Sequence, residues 1–405
     1  MSQPSTETSS HRLAYLLAAL TTLGPFAIDT YLPAQPAIAE ALATDIHRVE
    51  QTMGIYMAGL AIGPLFGGPA SDRFGRKRVA VLGLLFFALS SLLITFCQTI
   101  EQMLLLRFCQ AIGGGFAVVT AAATVRDFFT GKEAARVMSM MGIIMLIAPL
   151  VAPAVGASLL EIWGWRSIFG WLTLYALAVA ALLAWRMPQA SRQLQKGDGL
   201  RGVLRSYRSV LSHKQAMAYG IAQAFSASCM FMFLTEAAFV YIEYFGMAES
   251  VFPFLFGANI ITMALFNRLN VRLLASREPH QLLRLGMLVQ SSAALLLALF
   301  VAFGTAPLWL VVGLVMLAVG AMGFVFANGI TCALAFFPHN SGAANAVIGT
   351  AGYGFAAVLT TVLTLLHDGT PLPMSAMMAV CALAGLSVLL LFSRPATEMP
   401  DAVAE

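Results

Sequence analysis

From Met53 to Pro69, and again from Val79 to Gln98, the chain carries no charged side chain, and the turn between these runs, GPASDRFGRKR at 68–78, gathers Asp72, Arg73, Arg76, Lys77 and Arg78. A helix needs roughly 20 residues to cross a hydrocarbon core about 30 Å thick. The two runs are therefore read as membrane helices joined by a charged knuckle that stays in water. Because Lys and Arg concentrate in cytoplasmic loops, the knuckle marks the cytoplasmic side.

Uncharged or nearly uncharged runs of about 20 residues recur near 12–34, 51–70, 79–98, 101–123, 135–158 and 165–185, then near 215–241, 250–270, 282–303, 307–330, 341–366 and 372–392. The polar stretch 188–213 holds Arg192, Lys196, Arg201, Arg205 and Arg208 against Asp198 alone and divides the runs into two sets of six. The organisation this predicts is an all-α integral membrane protein of twelve transmembrane helices. It has a tail at 1–11, a six-helix half at 12–187, a linker with a surface helix at 188–213, a second half at 214–393 and a tail at 394–405. The composition agrees, with 59% hydrophobic and 10% charged residues, where soluble domains carry nearer a quarter charged. No small-residue cleavage site follows the first apolar run, so it is read as a retained span.

Charge placement checks the count. The knuckle, Arg126, Arg136, Arg186, the linker cluster, Lys214, Arg268, Arg272 and Arg284 fall on one side, and Glu40, Asp45, Glu50, Glu101, Glu161, Glu243 and Asp368 on the other. Only Arg48 and Arg166 go against the pattern. Both termini are then cytoplasmic, and the net charge of +4 reflects topology rather than affinity for nucleic acid.

Charges within the spans are costly and mark functional candidates. Asp29, in LGPFAIDTYLPAQP, is either a proton site or a solvated residue at the outer end of its helix, and Pro25, Pro33 and Pro36 bend or end that helix. Arg107 needs a carboxylate, a carbonyl or water, with Asp29 or a substrate as candidate partner and snorkelling as the alternative. In IAPLVAPAVGA, 147–157, Pro149, Pro153 and Gly156 make a pliable or closely packed fifth helix. Glu236 lies among Phe231, Phe233, Phe239 and Tyr241, as a second titrating site or one half of an interhelical hydrogen bond. Gln223, Asn259 and Asn328 are either cavity polar groups or ties between helices.

FNRLNVRLLASREPH at 266–280 echoes the knuckle in the second half, an internal repeat that suits a central cavity opening to either side. No GxxxxGK[ST], HExxH or GxSxG is present, which argues against ATP use or an intramembrane enzyme. The five cysteines stand singly and the six histidines fall at helix ends or in loops, so neither a metal site nor a disulfide is expected.

The chain resembles the major facilitator superfamily, and within it the bicyclomycin-resistance/CflA branch of twelve-helix drug:proton antiporters. Gly68, Asp72, Arg73, Gly75, Arg76 and Lys77 or Arg78 fall on the signature loop between the second and third helices. Asp29, Tyr31, Leu32 and Pro33 match a first-helix pattern, and Arg107, Gln110 and Gly113 a fourth-helix motif tied to proton coupling. IAPLVAPAVGA corresponds to the antiporter motif, with Ala148 where a glycine often stands, and Glu236 is atypical of the branch.

The resemblance implies the two-half major facilitator fold and a monomer in a bacterial inner membrane. It implies a proton-coupled antiporter that exports amphipathic drugs of the bicyclomycin, chloramphenicol or sulfonamide kind, powered by the proton gradient and without a cofactor. A dedicated exporter of a metabolite such as an amino acid or sugar is the alternative, ahead of a membrane sensor or receptor. The expected proton-coupling residues are Asp29, Arg107 and Glu236. The expected substrate contacts are Tyr31, Gln110, Gln223, Phe231, Phe233, Phe239, Tyr241, Asn259 and Asn328. The expected gate is Gly68, Asp72, Arg73, Gly75 and Arg76, with Pro149, Pro153 and Gly156.

Overall fold

A computed structural model describes residues 5–129, 131–187, 199–304, 306–337 and 341–393. Linker residues 188–198 and the tail 394–405 lie outside the described residues. Every regular element among the described residues is helical, and twelve helices are long and apolar enough to cross a membrane. They are α1 (Leu13–Ala41), α2 (Ile46–Phe74), α3 (Arg76–Ile94), α4 (Ile100–Val125), α5 (Arg136–Trp163) and α6 (Arg166–Arg186), followed by α7 (Lys214–Tyr244), α8 (Phe252–Leu273), α9 (Pro279–Ala302), α10 (Leu308–Leu334), α11 (Gly342–Leu365) and α12 (Leu372–Phe392).

The largest departure from the sequence reading is α2, which begins at Ile46 rather than near 51 and continues through Asp72 and Arg73 to Phe74. Charge-free runs report the part of a helix that sits in hydrocarbon. A helix whose first turns carry His47, Arg48 and Glu50 goes on hydrogen-bonding its backbone beyond that run. The turn after α2 is sharp because Gly75 takes φ +94°, a left-handed conformation open to glycine.

Proline sets the shape of α1. A regular helix ends at Asp29, a short 3₁₀ turn covers Leu32–Ala34, and helix resumes over Gln35–Ala41. Pro33 has no N–H with which to bond the carbonyl four residues back, at Asp29, and Pro36 withholds the bond to Leu32. The break therefore falls directly after the carboxylate. In α7 regular helix gives way at Phe239–Tyr244 to a π-helical turn, a local widening common at functional sites.

The chain divides into two compact units, one of Met1–Asp45 with Ile62–Gly197 and one of Ile46–Ala61 with Asp198–Glu405. In the first, α3 packs on α4 and α6, and α1 packs on α5. In the second, α7 packs on α10, α11 and α12, while α9 packs on α12 and α10. The linker contributes a helix, Gly199–Ser212, whose Val210 is buried while Leu204 and Leu211 are exposed. Many large apolar side chains face outward, among them Phe66, Leu82, Phe254, Phe303 and Phe392, as lipid-facing surface requires.

Arg166, one of the two residues against the charge pattern, has a structural task. Its Nε and Nη2 donate to the carbonyls of Thr95 and Cys97, each at 3.1 Å, closing the C-terminal end of α3. Burial pushes the Cys97 thiol up from its ordinary range, and the Arg166 charge works in the opposite direction.

Candidate functional site

In the first unit the residues singled out on α1 and α4 converge on Arg107, which is fully buried. Its Nη1 donates to the Ala27 carbonyl at 3.0 Å and to Gln110 Oε1 at 2.7 Å. The Gln110 amide then donates to Ser91 Oγ at 2.7 Å, joining α4 to α3. The guanidinium lies 4.4 Å from the centre of the Tyr31 ring and 5.9 Å from that of Phe169. Carbonyl, amide and aromatic faces thus hold this cation inside the helix bundle, where snorkelling to water is closed to it.

Asp29 lies on the same stretch of α1, 3% exposed, between Ala27, which Arg107 binds, and Tyr31, which covers it. No ion pair or hydrogen bond joins Asp29 to Arg107 among the described residues. The pairing considered from sequence is replaced by the Ala27 carbonyl and Gln110. Gly156 of the proline-rich α5 packs on this break so closely that a Cβ there would collide with the Thr30 carbonyl. Ser91, Phe169 and Thr30 complete the constellation. Their only sequence signals were a hydroxyl in an apolar helix and an aromatic near a helix start, too common to single out.

In the second unit the aromatic residues form packing. Phe233 stacks on Phe256 at 6.5 Å and meets Tyr241 edge-on at 5.8 Å, and Tyr241 lies 6.4 Å from Phe252. Phe231 approaches Tyr353 at 6.0 Å. Asn328 Nδ2 donates to Asn270 Oδ1 at 2.6 Å, tying α10 to α8, and Asn259 Nδ2 donates back to Leu255 of its own helix at 3.2 Å. The Gln223 amide reaches the Phe326 carbonyl at 3.5 Å. Glu236, fully buried, lies 3.3 Å from His367 Nδ1, and Phe239 packs edge-on against the same imidazole at 4.5 Å.

At the knuckle, Arg76 is the organising residue. Its Nη1 lies 2.6 Å from Asp72 Oδ1 and donates to Ser71 Oγ at 2.6 Å, while its Nε donates to Asp127 Oδ2 at 3.0 Å. Arg73 instead lies over the Phe74 ring at 5.4 Å. Asp127, in the helical turn that carries α4 on to Phe128, had no signal in the sequence because it follows Arg126 at an otherwise basic helix end. The Arg76 and Asp127 side chains are only 14% and 9% exposed, so their attraction is weakly screened. A double-mutant cycle on R76Q and D127N, read by thermal unfolding, is expected to return a coupling energy of about 1–2 kcal/mol; additive effects would show that the contact contributes nothing.

The family model described as Major Facilitator Superfamily matches residues 17–361. The bicyclomycin resistance protein homolog of Haemophilus influenzae is 30% identical over 376 residues, covering 92% of this chain and 93% of its own. The chloramphenicol resistance protein of Pseudomonas aeruginosa is 30% identical over 371 residues, covering 88% and 85%. Among solved structures, a D-xylose-proton symporter superposes with a TM-score of 0.73 at 14% identity over 95% of this chain and 98% of its own, a likeness of fold. The chain belongs to the major facilitator superfamily, and it is a multi-pass membrane transporter rather than an enzyme.

Proposed function

We propose that the chain is a proton-coupled antiporter that exports amphipathic drug-like compounds from a bacterial cell by alternating access, with both termini in the cytoplasm. The observation that carries this reading is Asp29, a carboxylate buried at a proline-made helix break beside the Arg107 network. Its protonation state sets how much charge α1 must bury, so a proton can bias the choice between conformations. Bicyclomycin, chloramphenicol and multidrug resistance in the names of relatives support drugs as the cargo. Within this reading the six-helix halves 12–187 and 214–393 are the repeats, and the Arg76 cluster with α5 forms the gate. The test is expression in a drug-hypersensitive bacterium. Steady-state accumulation of labelled bicyclomycin or chloramphenicol is expected to fall and to be restored by a protonophore. Unchanged drug accumulation, with efflux of a labelled sugar or amino acid instead, would replace drug export by metabolite export.

A further inference from the structure

Three residues far apart in sequence meet at one place in the second unit: His47 in the first turn of α2, Glu236 on α7 and His367 in the loop after α11. One ligand-capable atom from each lies within 4.8 Å of the other two. The imidazoles face each other with ring centres 3.3 Å apart, and Phe239 holds both edge-on, at 5.4 Å from His47 and 4.5 Å from His367.

A buried Glu–His hydrogen bond is the simplest account of such a cluster, and the geometry does not supply it. His367 Nδ1 lies 3.3 Å from Glu236 Oε2, yet neither carboxylate oxygen and neither ring nitrogen of His367 makes a hydrogen bond to a described residue. Four buried polar atoms in one cluster without such bonds are costly unless something shared satisfies them. His47 is oriented by a second carboxylate, its Nδ1 lying 2.9 Å from Oε2 of the fully buried Glu50. With Nδ1–H donated to an ionised Glu50, the neutral imidazole carries its lone pair on Nε2, the arrangement of a metal-binding imidazole backed by a carboxylate.

We propose that His47, Glu236 and His367 form a binding site for a divalent transition-metal ion of the Zn²⁺ class, with Glu50 as a positioning residue for His47. Two imidazoles and one carboxylate are a donor set suited to such an ion, with a further position open to water. An ion held at about 2.0–2.1 Å in tetrahedral geometry sets its ligands about 3.3 Å apart; His367 and Glu236 already stand at that separation, and loading requires the two imidazoles, stacked with centres 3.3 Å apart, to splay around the ion. The His47 side chain is 21% exposed, which gives a hydrated ion an entry path. Occupancy would staple the start of α2, the π-turn end of α7 and the loop between α11 and α12.

The test uses the full-length protein in detergent, carrying no polyhistidine tag and stripped with a chelator. Equilibrium dialysis with radiolabelled Zn²⁺ is expected to give one ion per chain, and Co²⁺ in its place to give the intense visible bands of a four- or five-coordinate site. E236Q and H367A are each expected to weaken Zn²⁺ binding by about tenfold or more, and H280A, whose imidazole lies 2.8 Å from Tyr219 Oη elsewhere, to leave it unchanged. Should E236Q fail to elute as a folded species, H367A carries the comparison. Failure to retain Zn²⁺, or retention indifferent to E236Q and H367A, would overturn the assignment.

Discussion

Asp29→Asn is expected to abolish drug-dependent proton movement, to the level of protein-free vesicles, while leaving drug-for-drug exchange in place. Asparagine keeps the shape of the side chain and removes its titration. Asp29 makes no hydrogen bond or ion pair with a described residue, so the substitution breaks no contact on which packing depends. The Arg107 network, with its bonds to Ala27 and Gln110, stays intact. A change confined to net flux would therefore report coupling. Loss of exchange together with net flux would mean that Asp29 is needed for the binding or movement of substrate itself. Proton movement unchanged from the native chain would place the coupling site elsewhere.

Gly156→Ala is expected to be the most damaging minimal substitution in α5. A Cβ at Gly156 would collide with the Thr30 carbonyl, and its next neighbours, the Thr30 carbonyl carbon and Cα, are also backbone, so no flexible side-chain tip can yield. Either α5 backs away from α1 or the break after Asp29 shifts. Overpacking of this kind costs about 1–3 kcal/mol, and the apparent thermal midpoint should fall by several degrees together with transport rate. Gly142→Ala, on the same helix with nothing within 4 Å of its added Cβ, is the control. It should leave the midpoint level or raise it slightly, because alanine favours helix over glycine by about 1 kcal/mol. Equal behaviour of the two variants would show that the α1–α5 contact is looser than this close approach requires.

Sequence made the spans legible because hydrocarbon filters residue types so severely. All twelve uncharged or nearly uncharged runs coincide with helices, and the ends shift by a few residues, most clearly in α2, where the polar turns His47–Glu50 and Asp72–Arg73 extend the helix past its apolar run. Arg107 stood out in the sequence because a cation inside an apolar helix is costly, whereas Gln110 and Tyr31 were marked only by the family resemblance; the structure brings all three together. Partners supplied by backbone were not legible. Ala27 and Thr30 act through carbonyl groups, which every residue carries. Nor was the meeting of His47 and His367 at Glu236, because histidines at helix ends reveal nothing of their neighbours until the helices are assembled. Asp127 was hidden because it follows Arg126 in sequence, where the two charges cancel, while its structural partner Arg76 lies fifty-one positions away.

The central claim, proton-coupled antiport of drugs, is tested most directly by purified protein in vesicles with an acid lumen and a pH-sensitive dye inside. Addition of bicyclomycin or chloramphenicol outside is expected to make the lumen more alkaline as protons leave in exchange for entering drug. Drug entry with no change in lumenal pH, or with further acidification, would contradict the account.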